Sequence, residues 1–174
     1  STCFAFFVSC PASMPRGTLL PFLRERYYTS YASAGFLPSL PSWCNLASVF
    51  LTGYLPAYLG RRKTVLLTPV GMALAFALVT LGLGGAAILP VACVMIGVAR
   101  GGNSNFSNTM MSTLTGNRAA VGYNLLHGAF AVGAVLSPLA LVACTRNHPE
   151  GWQTMGIGIV ILSVIQVAVY AKMA

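Results

Sequence analysis

Charged residues are scarce in this sequence. Of its 174 residues, only 7% are Asp, Glu, Lys or Arg, whereas 56% are hydrophobic. Soluble domains usually carry about a quarter charged residues, so the composition excludes an ordinary soluble protein and indicates an integral membrane protein. Ten basic and two acidic residues give a net charge of +8, but the basic residues never form a long basic surface of the kind that binds nucleic acid.

Metal-ligand clusters and catalytic pairs are also lacking. The five cysteines lie in or beside apolar runs without a CxxC pair, and no His/Cys spacing suits zinc. They are typical of small apolar packing residues. His127 and Ser137 would lie about 15 Å apart along one helix, too far for a nucleophile and its base. We therefore predict no enzyme, no cofactor and no metal site. The absence of a repeated pore loop argues against a channel.

Six apolar stretches are long enough to cross a bilayer, which takes about 20 residues. Short connectors separate them. The fold class predicted from them is all-α: a polytopic membrane protein in which residues 1–174 form one bundle of six transmembrane helices. The predicted spans are Thr2–Leu23, Ala34–Tyr58, Thr64–Leu83, Ala86–Thr113, Val121–Cys144 and Trp152–Lys172.

Basic residues favour one side of the predicted membrane. The first, third and fifth connectors, on the opposite side, mix arginines with Glu25 and Glu150. Because cytoplasmic loops are enriched in Lys and Arg, we expect both termini in the cytoplasm, in a plasma (inner) membrane. The second and fourth connectors and the C-terminal end carry Arg61, Arg62, Lys63, Arg118 and Lys172. Aromatic residues near span ends predict an interfacial belt: Tyr27, Tyr28, Tyr31, Tyr58, Trp152 and Tyr170.

Two arginines fall at membrane depth, Arg16 in the first span and Arg100 in the fourth. A charge near the bilayer centre costs at least about 3 kcal/mol on insertion scales and usually faces a cavity. On a helix, Arg100 shares a polar stripe with Asn103 and Asn108. We interpret the stripe as the lining of a water-filled pathway, and the alternative is hydrogen bonding between helices. Its other members are Ser104, Ser107, Met111 and Thr115.

The fifth span carries Asn124 and His127 on one face. A histidine can carry a proton near neutral pH, but His127 could equally donate to a backbone carbonyl. On the adjacent face Ala129, Gly133 and Ser137 recur every four residues, which predicts close helix packing. No Asp or Glu lies in any predicted span. Proton coupling would therefore use His127, come from another half of the protein, or not occur.

Three stretches resemble known transporter segments. "GYLPAYLGRRKTVLL", Gly53 to Leu67, resembles the loop between helices two and three of the major facilitator superfamily, although Ala57 and Tyr58 stand where that family has an acid and an arginine. "YNLLHGAFAVGAVLSP" and "LPFLRERYYTSYASAGFL" resemble helix five and the helix one–two link of its fucose-permease-like sugar transporter branch. The loop positions that match are Gly53, Leu55, Gly60, Arg61 and Arg62.

The resemblance implies the N-terminal six-helix half of a twelve-helix transporter. Such halves contain two inverted three-helix repeats, here about residues 1–83 and 86–173, and the Arg-Gly shared by "PRGTLLPF" and "ARGGNSNF" fits them. In that family, helices one and four line the central cavity. The candidate substrate-binding residues are Arg16, Arg100, Asn103, Asn108, Asn124 and His127. The candidate gating loop comprises Gly53, Gly60, Arg61 and Arg62.

We expect transport of a small polar solute by alternating access. Deep arginines without buried carboxylates favour a sugar or an organic anion such as a sugar acid, because a guanidinium binds carboxylate in a two-pronged geometry. The chain would supply half of the pathway, and a C-terminal six-helix half or a second copy of the chain would supply the rest. Two alternatives remain: an efflux transporter for drug-like compounds, and a six-helix protein that transports only as a dimer.

Overall fold

A computed structural model describes residue 25 and residues 35–82, 85–146 and 151–173. This part of the chain is helical and contains no strand, as predicted; the first predicted span, Thr2–Leu23, lies outside it. Short 3-10 turns, Gly85–Ala87 and Gly116–Arg118, precede α3 and α4. The helices are α1 (Leu40–Leu59), α2 (Arg61–Leu81), α3 (Ile88–Thr115), α4 (Ala119–Thr145) and α5 (Gly151–Met173).

Helices α2 to α5 begin and end close to the last four predicted spans. Three stretches are long and apolar enough to cross a membrane: Arg61–Leu81, Gly85–Thr145, which contains both α3 and α4, and Gly151–Lys172. Helix α1 is not among them and covers only part of the predicted span Ala34–Tyr58. The physical reason is its polar content, since Ser42, Asn45, Ser48 and Thr52 lie along it.

The junction between α1 and α2 is a single glycine. Gly60 has φ 81° and ψ 148°, a conformation that an L side chain would strain. Its N–H donates to the Pro56 carbonyl over 3.0 Å, and its own carbonyl accepts from the Thr64 hydroxyl over 2.9 Å. Gly60 therefore ends one helix and starts the next without a loop between them.

Helix α3 lies between its neighbours and packs along α1, α2 and α4. Successive contacts between α3 and α1 are spaced by four residues on both helices. Gly97 faces Cys44, Gly101 faces Ser48, and Asn105 bonds Thr52. Because both helices move forward four residues at each contact, α1 and α3 run parallel.

Glycines bring α1 and α3 unusually close. A Cβ on Gly97 would lie 2.6 Å from the Pro41 carbonyl oxygen, and one on Gly101 would lie 2.6 Å from the Asn45 carbonyl oxygen. The spacing of Gly97 and Gly101 is the GxxxG pattern that allows backbones in membranes to approach. The Ser48 hydroxyl uses this proximity to donate to the Val98 carbonyl over 2.7 Å.

The apolar core lies among α2, α3, α4 and α5. Helix α2 runs antiparallel to α3, since Gly71 contacts Ala99 whereas Thr68 contacts the later Gly102. Trp152 is only 5% exposed and belongs to this core, so its assignment to an interfacial belt was wrong. The core consists of Met72, Phe76, Ala99, Leu141, Trp152, Met155 and Ile159.

Large apolar side chains cover the outside of the bundle. On α4, Leu139 and Val142 are more than half exposed, as are Ile157 and Ile161 on α5. Water-soluble monomers rarely expose contiguous apolar surface of this kind. The surface is therefore that of a protein surrounded by lipid or by further apolar helices.

Candidate functional site

Arg100 is half-buried near the middle of α3, between the buried residues Ala99 and Gly101. Twelve residues of the helix precede it, which places it about 18 Å along the axis. A bilayer core is about 30 Å thick, so this guanidinium belongs to the central part of a membrane-crossing helix. Arg16, the other deep arginine of the sequence, lies outside the described residues.

Asn103 connects α3 to α5 through hydrogen bonds. Its Oδ1 atom accepts from Gln166 Nε2 over 2.9 Å and from the Tyr170 hydroxyl over 3.3 Å. All three side chains are at most 4% exposed. At this residue, the alternative of hydrogen bonding between helices is the one observed.

The predicted polar stripe of α3 divides into two parts. Asn103, Ser107 and Met111 are buried, and Met111 packs against Leu126 of α4. Arg100 is only half-buried, and it shares this partial exposure with Ser104, Asn108 and Thr115. One edge of the stripe therefore faces neighbouring helices, and only the other edge is accessible.

Asn108 presents an enclosed acceptor. Its side chain is half-buried, and its Oδ1 atom is fully enclosed without a hydrogen-bond partner among the described residues. The hydroxyl oxygen of Ser137 is in the same condition. Buried polar atoms are normally paired, so these atoms identify places where a further polar group would be stabilised.

Asn124 and His127 lie three residues apart on α4, and both are exposed. They share a helix face that is distinct from the face packed in the bundle. Gly133 and Ser137 are buried, which confirms the predicted packing face at these two positions, whereas Ala129 is only half-buried. Helix α4 thus packs Gly133 and Ser137 against the bundle and leaves Asn124 and His127 exposed.

The polar residues of α5 escaped the sequence analysis. Tyr170 was assigned to an interfacial belt, but it is 2% exposed and bonds Asn103. A signal was present: Ser163, Gln166 and Tyr170 follow one another at helical spacing in an otherwise apolar segment. Asn105, which donates to the Thr52 hydroxyl over 3.2 Å, was also missed because it lies off the predicted stripe.

The candidate gating residues do not form a loop. Gly53 lies inside α1, and Arg61 and Arg62 form the first turn of α2, because helix formation continues up to Gly60 from both sides. Arg62 Nη2 donates to the Ala171 carbonyl over 3.2 Å. A cation at the C-terminal end of a helix is favourable, so Arg62 stabilises the end of α5.

Among the described residues, most of the basic side chains lie at one end of the bundle. The Arg62–Ala171 bond places the start of α2 beside the end of α5, and the turn between α3 and α4 lies at the same end because α2 and α3 are antiparallel. Arg146, at the end of α4, lies at the opposite end. The cations of the first end are exposed: Arg61, Arg62, Lys63, Arg118 and Lys172.

No group of three or more His, Cys, Asp or Glu side chains that could hold a metal occurs among the described residues. The family model of the Major Facilitator Superfamily matches residues 2–172. The chain belongs to this superfamily. Comparison with curated proteins and with solved structures gives no match.

Superfamily membership explains the apolar exterior. This facilitator is an integral membrane protein of a secondary-transporter family whose members move small molecules across membranes. Its helical architecture, its apolar surface and the deep arginine of α3 are therefore parts of one transport protein.

Proposed function

We propose that this facilitator carries a sugar or an organic anion, such as a sugar acid, by alternating access, with this chain supplying half of the pathway. The observation that carries the proposal is the accessible edge of α3. Arg100 and Asn108 are both half-buried there, and the Oδ1 atom of Asn108 has no hydrogen-bond partner among the described residues. A solute with a carboxylate and hydroxyl groups complements both side chains.

Each side chain suits a different part of such a solute. The Arg100 guanidinium offers a fork of N–H donors that matches a carboxylate, and the amide of the half-buried Asn108 can bond a hydroxyl. Asn124 and His127, exposed on α4, add donors and acceptors from a second helix. Arg16 of the first predicted span belongs to the same proposal, and Asn103 supports it from inside the bundle.

Charge distinguishes this solute class from cationic drugs. None of the helices α1 to α5 contains Asp or Glu, so the described site has no carboxylate to neutralise a cation. A guanidinium in a low-dielectric environment repels cations and attracts anions. The charge pattern therefore favours anion or sugar transport over the efflux of cationic compounds.

The rest of the pathway comes from another six-helix unit. A C-terminal half or a second copy of the chain would cover the exposed face of α4 and complete the site. The cation-rich end is cytoplasmic in this proposal, because Lys and Arg are retained on that side. Gly53, Gly60, Arg61 and Arg62 would act there as a helical gate, and the two inverted repeats would divide the chain near residue 84.

Ligand-induced thermal stabilisation of the purified protein tests the proposal. The probes are a hexuronate, a neutral hexose and a cationic drug-like amine. A ligand at a hundredfold excess over its Kd stabilises the folded state by about 2.7 kcal/mol. We expect the hexuronate to stabilise the unmodified protein and to lose most of this effect in Arg100→Gln. Arg146→Gln is the matched control, because Arg146 is exposed at the far end of α4.

The outcomes separate the two solute classes. Stabilisation by the neutral hexose that persists in Arg100→Gln would support a plain sugar permease and remove Arg100 from the site. Stabilisation by the amine alone, unchanged in Arg100→Gln, would contradict the proposal. Arg100→Lys keeps the charge but loses the planar fork, so partial retention would identify the two-pronged contact.

A further inference from the structure

The contact between α3 and α5 contains a layer of large polar side chains in an apolar bundle. Gln166 and Tyr170 both donate to Asn103 Oδ1, and none of the three is more than 4% exposed. We propose that Gln166 and Tyr170 are positioning residues: they fix the rotation of α3 about its axis and thereby the direction of Arg100. The inference rests on the proposed function of Arg100.

The geometry of the two bonds is that of a clamp. Gln166 and Tyr170 are one helical turn apart, so their backbones lie about 6 Å apart along α5. Both side chains nevertheless converge on a single oxygen atom of α3. Two donors that approach one acceptor from separate points restrict its movement sideways as well as along the axis.

The opposite side of α3 packs closely against α1. Gly97 and Gly101 face α1 there, and two hydrogen bonds cross this contact, from the Ser48 hydroxyl to the Val98 carbonyl and from Asn105 Nδ2 to the Thr52 hydroxyl. The bonds of Gln166 and Tyr170 add a directional restraint on the α5 side, so that α3 is held from opposite sides.

Arg100 amplifies any rotation of α3. It precedes Asn103 by three residues, so it is offset by about 60° around the axis and about 4.5 Å along it. A rotation of about 30° moves atoms at the helix surface, about 6 Å from the axis, by about 3 Å. Misplacement by about 1 Å already impairs a binding geometry. The direction of the guanidinium therefore depends on the clamp.

Stability alone is a weak reason for this layer. Hydrogen bonds between membrane helices contribute modestly to folding, and well-packed apolar residues would fill the same space. A requirement for one rotational setting explains why three buried polar side chains meet at one atom. It also explains why their common acceptor, Asn103, lies one turn from Arg100 on α3.

Chemical modification of Arg100 tests the proposal without a transported solute. The chain in lipid nanodiscs is treated with phenylglyoxal, and the modification rate of each arginine is followed by peptide mass spectrometry. The variants are Gln166→Met and Tyr170→Phe, singly and together, which approximately keep the size of each side chain and remove its hydrogen-bonding group. Gln153→Met, on the same helix, is the matched control, and the exposed Arg146 is the internal reference.

We expect the double variant to change the Arg100 rate by about threefold or more, as modest coupling between neighbouring sites allows. The Arg146 rate and the Gln153→Met protein should not change. An unchanged Arg100 rate in folded single and double variants would overturn the proposal, and so would an equal change at Arg146, which would indicate general loosening. The single variants remove one atom or one group each, which keeps the test usable if the double variant fails to fold.

The result is distinguishable from a failure of the proposed function. If Arg100→Gln leaves solute binding unchanged, the solute assignment fails, but a shifted Arg100 modification rate still establishes the clamp. If phenylglyoxal modifies Arg100 in no variant, the arginine does not face water, and both proposals are overturned.

Discussion

The Ser48 hydroxyl of α1 donates to the Val98 carbonyl of α3 over 2.7 Å. The Val98 carbonyl belongs to a continuous helix, so the bond requires the α1 side chain to reach the backbone of its neighbour directly. Gly97 and Gly101 make this possible because neither places a side chain between the two helices. The α1–α3 contact is therefore a backbone-to-backbone approach stabilised by a small polar residue.

Gly101→Ala is expected to separate α1 from α3. The new methyl group would lie 2.6 Å from the Asn45 carbonyl oxygen and 2.8 Å from Ser48 Cβ, closer than real contacts allow. Overpacking of this kind usually costs about 1–3 kcal/mol, so we expect a lower midpoint of thermal unfolding in detergent. Gly128→Ala is the control: no neighbour lies within 4 Å of that position. It should raise the midpoint slightly or leave it unchanged. Equal effects of the two substitutions would contradict the close approach.

Gly60→Ala is expected to strain the α1–α2 junction. The residue has φ 81° and ψ 148°, and such backbone conformations cost about 1–3 kcal/mol for residues with a side chain. The free energy of unfolding should fall by that amount. Gly53→Ala provides the comparison, because Gly53 is helical and a methyl group there meets no neighbour within 4 Å. A Gly60→Ala protein as stable as Gly53→Ala would show that the junction adopts another conformation.

Arg62→Gln is expected to loosen the end of α5. Arg62 donates to the Ala171 carbonyl, and a cation near a helix C-terminus contributes about 0.3–1 kcal/mol. Amide hydrogen exchange in the last turn of α5 should therefore accelerate about two- to fivefold. Arg61→Gln removes an equal charge from the adjacent position and should change this exchange less. An identical acceleration in both variants would mean that net charge, and not the specific bond, stabilises the end of α5.

The sequence predicted the positions of α2 to α5 well, because each helix is a long apolar segment and short connectors rich in glycine or charge separate these segments. It predicted less well which face of each helix is buried. In a soluble protein, polar residues mark the outside, but in a membrane the lipid-facing side and the bundle interior are both apolar. Tyr170 and Trp152 were therefore placed at a lipid interface, although both lie inside the bundle.

The candidate site was predictable only in part. Arg100 was identified from its membrane depth alone, since a charge there is costly wherever it points. Asn103 could not be assigned in the same way, because an amide serves a pathway or a helix contact equally well. Its role depends on Gln166 of α5. The residue patterns of α3 and α5, taken separately, do not predict that these two side chains pair.

The single-residue junction at Gly60 limits how the first two described helices can move. Consecutive Cα atoms are about 3.8 Å apart, so the end of α1 cannot shift by more than a few ångströms without displacing the start of α2. A rocking motion of the kind that secondary transporters use would consequently move the end of α1 and the start of α2 together. The hydrogen bond from Arg62 to the Ala171 carbonyl would couple this motion to the last turn of α5, so that three helix ends on the basic side move together.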